Sequence, residues 1–241
     1  MMGKFGYIHS GRFWIVDEGS FSFWYNKEFK NNPYGRQAWK RDIFENIDTP
    51  EKAYWLGFIT ADGCLNETNN RVSIDIGGED KEHLIHFINF IQGDIKLLKT
   101  TVHPQTKNEL CHVSLCGKEN YNNLTRLGLC PKKSGKEKYI HTHFDRDYIR
   151  GLIDGDGCIR SNLSGIELVG SYDLLYEVQQ KFKTELGINP HKIMTHGVIY
   201  KIAYCSKKDI YTIINWLYKD ASVSLLRKQK LANIILNEKI C

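Results

Sequence analysis

The chain has 241 residues, a formal net charge of +5, a 41% hydrophobic share and seven cysteines. That length and apolar share support a substantial core in one or two domains. The modest charge excludes a basic tail of the histone kind. The odd, scattered cysteines, with no C-x-x-C pair, exclude a disulfide framework and a zinc finger, and no signal peptide or transmembrane run is present.

In chain order, residues 1–41 come first, an aromatic-rich extension. Phe5, Tyr7, Phe13, Trp14, Phe21, Phe23, Trp24 and Tyr25 are punctuated by Gly11 and Gly19, a pattern that predicts a small β-meander. Asp48-Thr49-Pro50-Glu51 then offers a cap and a first-turn proline for a helix over 51–61. Gly63 is expected to end that helix by taking the left-handed conformation. A strand over 71–76, a helix over 81–92, a strand pair over 95–103 and 109–116, and a helix over 119–127 follow from their periodicities. Residues 129–144, with Pro131, Ser134 and Gly135, read as a linker. The order then repeats: a helix over 145–155, capped by Asp145 and stopped by Gly157; strands over 158–161 and 165–170; a helix over 173–186. Strands over 190–196 and 198–205 meet near Gly197, and helices over 207–218 and 225–237 close the chain.

The expected fold class is therefore α+β: two pseudo-symmetric αββαββα halves, 42–128 and 145–241, with antiparallel saddle-shaped sheets joined at a central helix pair. The strongest support is a repeated phrase. Tyr54-Trp55-Leu56-Gly57-Phe58-Ile59-Thr60-Ala61-Asp62-Gly63 returns without a gap, 94 positions on, as Tyr148-Ile149-Arg150-Gly151-Leu152-Ile153-Asp154-Gly155-Asp156-Gly157. Small residues four apart, Gly57 with Ala61 and Gly151 with Gly155, open a shallow groove on each helix and let two such helices approach backbone to backbone. Close approach brings together two negative helix ends and two carboxylates, Asp62 and Asp156. Such a group repels itself unless a hard cation such as Mg²⁺ intervenes.

These phrases resemble the motif of the LAGLIDADG homing endonucleases, in the monomeric two-motif form, and the resemblance covers about residues 42 to 236. It implies a site-specific double-strand DNA endonuclease. Phosphodiester hydrolysis would depend on two or three Mg²⁺ ions at the helix pair, leave short 3′ overhangs and serve the homing of an intron. It makes Asp62 and Asp156 the metal-binding acids, helped by the carbonyls of Ala61 and Gly155. Asp154 matches Thr60 and lies outside the metal slot. Leu225-Leu226-Arg227-Lys228-Gln229-Lys230 resembles the family segment that supplies an active-site lysine, which points to Lys228; Lys133 is its counterpart in the first half. Both lysines would stabilise charge on the phosphate. Gly78 stands where the family often has a polar residue that holds water, and Ser171 is the candidate for that task in the second half.

The polar strand faces bear Arg71, Ser73, Asp75, Lys99, Thr101 and His103 in the first half. Arg160, Asn162, Glu167, Lys192, Thr195 and Tyr200 are comparable in the second. Such a mix suits major-groove readout. The expected partner is a long asymmetric DNA duplex met by a monomer, with the chain's own intron RNA as a further candidate and no membrane. The expected location is intracellular, wherever the target genome resides. An RNA maturase and a catalytically silent DNA-binding regulator use the same fold, and retention of both acids favours cutting. An intein would need an N-terminal nucleophile and a C-terminal His-Asn, and this sequence shows neither.

Overall fold

A computed structural model describes residues 5–9 and 12–16 as backbone, and residues 39–131 and 135–237 in full. Strands Phe5–His9 (β1) and Arg12–Val16 (β2) pair antiparallel as a hairpin. The third run of the expected meander lies outside the described residues.

The first half opens on helix Pro50–Asp62 (α1), whose N-cap Thr49 accepts a hydrogen bond from the amide of Lys52 with Pro50 in the first turn. Strands Gly63–Asn66 (β3) and Arg71–Gly77 (β4) follow, then helix Lys81–Phe90 (α2), strands Leu98–Val102 (β5) and Glu109–Cys116 (β6), and helix Lys118–Leu127 (α3). The second half repeats the order. It runs through helix Asp145–Asp156 (α4), strands Gly157–Ile159 (β7) and Ile166–Gly170 (β8), helix Tyr172–Leu186 (α5), strands Met194–His196 (β9) and Ile199–Tyr204 (β10), and helices Lys207–Tyr218 (α6) and Leu226–Asn237 (α7). Each half builds a four-stranded antiparallel sheet, ordered β3-β4-β6-β5 and β7-β8-β10-β9. The two orders are the same permutation, so the halves are topological copies.

One face of each sheet is apolar and covered. Val72, Ile74, Ile76, Cys111, Val113 and Leu115 line it in the first half, beneath Leu84, Phe87 and Ile88 of α2; Ile159, Ile166, Leu168, Ile202 and Tyr204 do so in the second, beneath Leu174, Val178 and Phe182 of α5. The motif helices are buried almost all round, from Ala53 to Ala61 and from Asp147 to Asp154. A helix with no wet face belongs between two partners, here its own lobe and the opposite motif helix.

Two local expectations are corrected, and a third residue is placed. Gly63 and Gly157 are extended, with φ of −74° and −87°, not left-handed. Glycine is required there for space: a Cβ would lie 2.4 Å from the Ile59 carbonyl oxygen at Gly63, and 2.5 Å from that of Ile153 at Gly157. Asp145 is the first helical residue, not the cap. Its Oδ1 accepts from Tyr139 Oη at 2.9 Å and from the Thr142 amide at 3.2 Å, tying the end of the linker to the helix start. Ser171, expected to hold water, is the N-cap of α5; its Oγ accepts from the Leu174 amide and donates its one hydrogen to the Glu137 carbonyl.

Candidate active site at the motif-helix seam

The two motif helices meet backbone to backbone. A Cβ on Gly57 would lie 2.1 Å from the Tyr148 carbonyl oxygen, and one on Gly151 would lie 2.1 Å from the Tyr54 carbonyl oxygen. These are matched positions of the repeat, so the seam is itself pseudo-symmetric. Toward the helix ends, a Cβ on Gly155 would lie 2.4 Å from Ala61 Cβ and 3.3 Å from Asp62 Oδ2. The carboxylate of the first helix therefore lies against the last turn of the second, one residue before Asp156. Both acids are half-buried, and the exposed Cys64 and Cys158 are the second residues of the strands they lead into.

Behind the acids, each motif tyrosine reaches across the seam to the matched position of the other helix. Tyr54 Oη donates to Asp154 Oδ2 at 2.7 Å, and Tyr148 Oη donates to Thr60 Oγ1 at 3.5 Å. The second-half version is far more elaborate. Asp154 also accepts from Tyr218 Oη at 2.6 Å and from the Leu225 amide at 2.7 Å. Burial raises its pKa, opposed by the nearby Lys228 ammonium and these donors. Arg150 is wholly buried; it pairs with Asp147 at 2.6 Å, donates to the carbonyls of Leu217 and Val223, and sits over the Tyr54 ring. The sequence signal for this pair was the i, i+3 spacing of Asp147 and Arg150 on one helix face.

His83 completes the network from the first half, with Nε2 3.0 Å from Tyr54 Oη. Desolvation holds its pKa at about 3, so the ring is neutral at pH 7 and the native state resists protonation that the unfolded chain accepts. Its contribution to stability is present above the unfolded value near 6.5 and is lost as pH falls toward 3. Urea titrations of wild type and His83→Gln should diverge on acidification. The wild type should lose roughly 3 kcal/mol more than the variant between pH 7 and 4.5. Parallel pH profiles would show that His83 is not buried as described.

Lys228 is brought to the seam, but its ammonium does not face outward. It is 2% exposed. Nζ donates to the carbonyls of Ile153, Asp154 and Gly157 at 2.7, 2.6 and 2.7 Å, with that of Gly155 at 3.4 Å. Desolvation lowers its pKa to about 8 against the pull of Asp154. The ammonium, expected to meet phosphate, here meets main chain. Lys133 lies outside the described residues. A Cβ on Gly78 would strike the Glu109 side chain at 2.6 Å, so a polar side chain there would displace that carboxylate.

Strand register sorts the residues expected to face a ligand. Asp75, His112 and Lys99 stand in one row on the open face of the first sheet, with Thr101 opposite Leu110 beside them. His112 Nδ1 lies 2.6 Å from Asp75 Oδ1. Arg71 lies at the end of β4 opposite Cys116, and Ser73 is buried between Cys64 and Ser114. His103 belongs to the turn beyond β5, where its Nδ1 accepts from the Thr106 amide. In the second sheet Glu167 is bracketed by Arg160 and, at 3.5 Å, Lys201. Asn162 ties its own turn through Ser164, and Lys192 lies in the loop before β9. Tyr200 pairs with Thr195 and with Gly170; it shares the phase of the helix-covered face, where it packs edge-on against Tyr172, while Thr195 on the edge strand is exposed. The open face of β10 instead carries Lys201. The signal was present, since Tyr200 shares the phase of the buried Ile202 and Tyr204.

A family model described as a LAGLIDADG-like domain matches residues 143–215. Among solved structures, full-length DUF199/WhiA from Thermatoga maritima superposes with a TM-score of 0.54 at 16% identity, over 84% of this chain and 67% of that one. The meganuclease I-SmaMI bound to uncleaveable DNA gives 0.53 at 12%, over 78% and 90%. The meganuclease I-AabMI bound to uncleaved DNA gives 0.50 at 12%, over 78% and 88%. This chain has the two-lobed LAGLIDADG fold. No curated protein sequence matches it significantly. The LAGLIDADG helices are α1 and α4, and the glycines that pack them are those of the repeated phrase. Among the described residues no helix is long and apolar enough to cross a membrane.

Proposed function

We propose that the chain is a site-specific, Mg²⁺-dependent DNA endonuclease of the homing type, encoded within an intron and acting as a monomer. The observation that carries the reading is the placement of the Asp62 carboxylate against Gly155, beside Asp156, at the end of two helices in backbone contact. One acid from each lobe then serves one strand of the duplex each.

The donor set fits the cation. Asp62, Asp156 and the carbonyls of Ala61 and Gly155 are all hard oxygen ligands, the kind Mg²⁺ takes alongside water and phosphate. Among the described residues no group of three or more His, Cys, Asp or Glu side chains converges as a metal site, so carbonyls, water and the DNA phosphates must complete the shell. I-SmaMI has been seen on its uncleaved target in the presence of calcium ions, a precedent for divalent ions in this fold. Bound Mg²⁺ would supply Lewis-acid activation and charge neutralisation at the scissile phosphate. The protein's part is to hold two carboxylates rigidly at the seam, exclude bulk water behind them with the Tyr54–Asp154–Tyr218 cluster, and align the duplex along the open sheet faces. On those faces Lys99, Asp75 with His112, and Arg160 with Glu167 and Lys201 offer both donors and acceptors to base edges and phosphates.

A maturase or a DNA-binding protein that does not cut would use the same lobes, and the paired acids favour cutting. The test is incubation with DNA spanning the rejoined flanks of the encoding gene, with Mg²⁺ or with Ca²⁺. Double-strand breaks with Mg²⁺ alone are expected. Binding should weaken linearly on a log–log plot against salt, with a slope of about −0.9 per phosphate contact. Tight RNA binding without DNA cutting would support the maturase instead, and salt-independent affinity would contradict a DNA-binding surface.

A further inference from the structure

We infer that Lys228 is a positioning residue that fixes the main chain on both sides of Asp156, and that Asp154 and Asp80 hold Lys228 in that place. The inference rests on the reading of Asp156 as one of the two acids.

A helix end leaves its last carbonyls without intrahelical partners. At the end of α4 one ammonium takes that of Asp154, shares that of Ile153 with the Gly157 amide and, beyond the helix, takes that of Gly157. An ammonium has three hydrogens, and three contacts of 2.6–2.7 Å use them all. The contacted carbonyls precede and follow Asp156, so the torsions that aim its carboxylate are set from both sides. The burial of Lys228 leaves no hydrogen for a phosphate oxygen.

The segment that delivers Lys228 is itself pinned twice. The Leu225 amide donates to Asp154 Oδ2 at 2.7 Å, and Arg227 Nε donates to Asp80 of the first lobe at 2.9 Å. Asp154 in turn receives Tyr54 from the first helix. Docking of the two lobes and orientation of the second acid therefore share one buried network, which explains a carboxylate at 154 where the repeat has Thr60.

The test compares wild type, Lys228→Met, and the double variant Asp154→Asn/Lys228→Met, which removes the buried charges together and covers the case in which the single variant does not fold. Two readouts are taken: amide hydrogen exchange by peptide, and strand-resolved cutting of a duplex that the wild type cleaves. Exchange at residues 156–160 should rise about tenfold or more, the worth of one charged hydrogen bond, while residues 62–66 stay unchanged. Cutting of one strand should slow by a similar factor at unchanged DNA affinity. Unaltered exchange at 156–160, or equal slowing of both strands with exchange unaltered, would overturn the positioning role in favour of direct phosphate contact. A wild type that cuts no DNA overturns the role of Asp156 as a catalytic acid, whereas the exchange result still decides whether Lys228 fixes the helix end.

Discussion

Gly151→Ala is expected to destabilise the chain by about 3 kcal/mol or more, and Gly57→Ala by a similar amount. In an ordinary helix the same change stabilises by about 1 kcal/mol, because alanine loses less backbone freedom. Here the new methyl would lie 2.1 Å from a carbonyl oxygen of the opposite helix and, at Gly151, 2.7 Å from the Phe58 amide nitrogen. The obstacles are main chain, so no rotamer change relieves them. The helices must separate, and overpacking of this kind costs about 1–3 kcal/mol, more where the backbone must move. Separation also strains the Tyr54–Asp154 and Tyr148–Thr60 bonds that span the seam. Gly77→Ala is the control: its backbone is extended at φ −64° and the added Cβ meets its nearest neighbour at 3.8 Å, so a change within about 0.5 kcal/mol is expected. Chemical denaturation of the three variants measures the difference. Equal stabilities would mean that the helix backbones are not in contact.

Much of this was legible in the sequence because it was written twice. A gapless repeat of small residues and acids fixes two helices, their contact face and the relative position of Asp62 and Asp156 without reference to anything else in the chain. Alternation and turn residues likewise gave most of the strands, since one sheet face must be apolar. What the sequence hid was of three kinds. Gly63 and Gly157 sit where a helix-ending glycine is expected to be left-handed, yet steric contact with the preceding turn, not torsion, requires them. Lys228 was expected to reach the phosphate, and only the fold shows that it ends against four carbonyls. Tyr200 was assigned to the open face because tyrosine reads as polar or apolar alike. Its phase relative to Ile202 and Tyr204 decides the matter. Burial of Arg150, Asp154 and His83 depends on partners 60 or more residues away in some cases, such as Asp154 with Tyr218, and no local pattern encodes that.

Asp62→Asn and Asp156→Asn carry the largest expected effect on activity. Each exchange keeps size and one oxygen but removes the charge that opposes a divalent cation, so affinity for specific DNA should stay within about threefold while double-strand cutting falls by a factor on the order of a thousand or more. In the proposed reading the sequence-directed contacts lie on the sheet faces, apart from the seam, and binding should therefore survive. The most direct measurement is strand-resolved cleavage by wild type and both single variants, on one end-labelled duplex, with Mg²⁺. Two shorter duplex fragments are expected from the wild type and loss of double-strand breaks in each variant, with any residual nicking on opposite strands for the two. Undiminished double-strand cutting by either variant would contradict it.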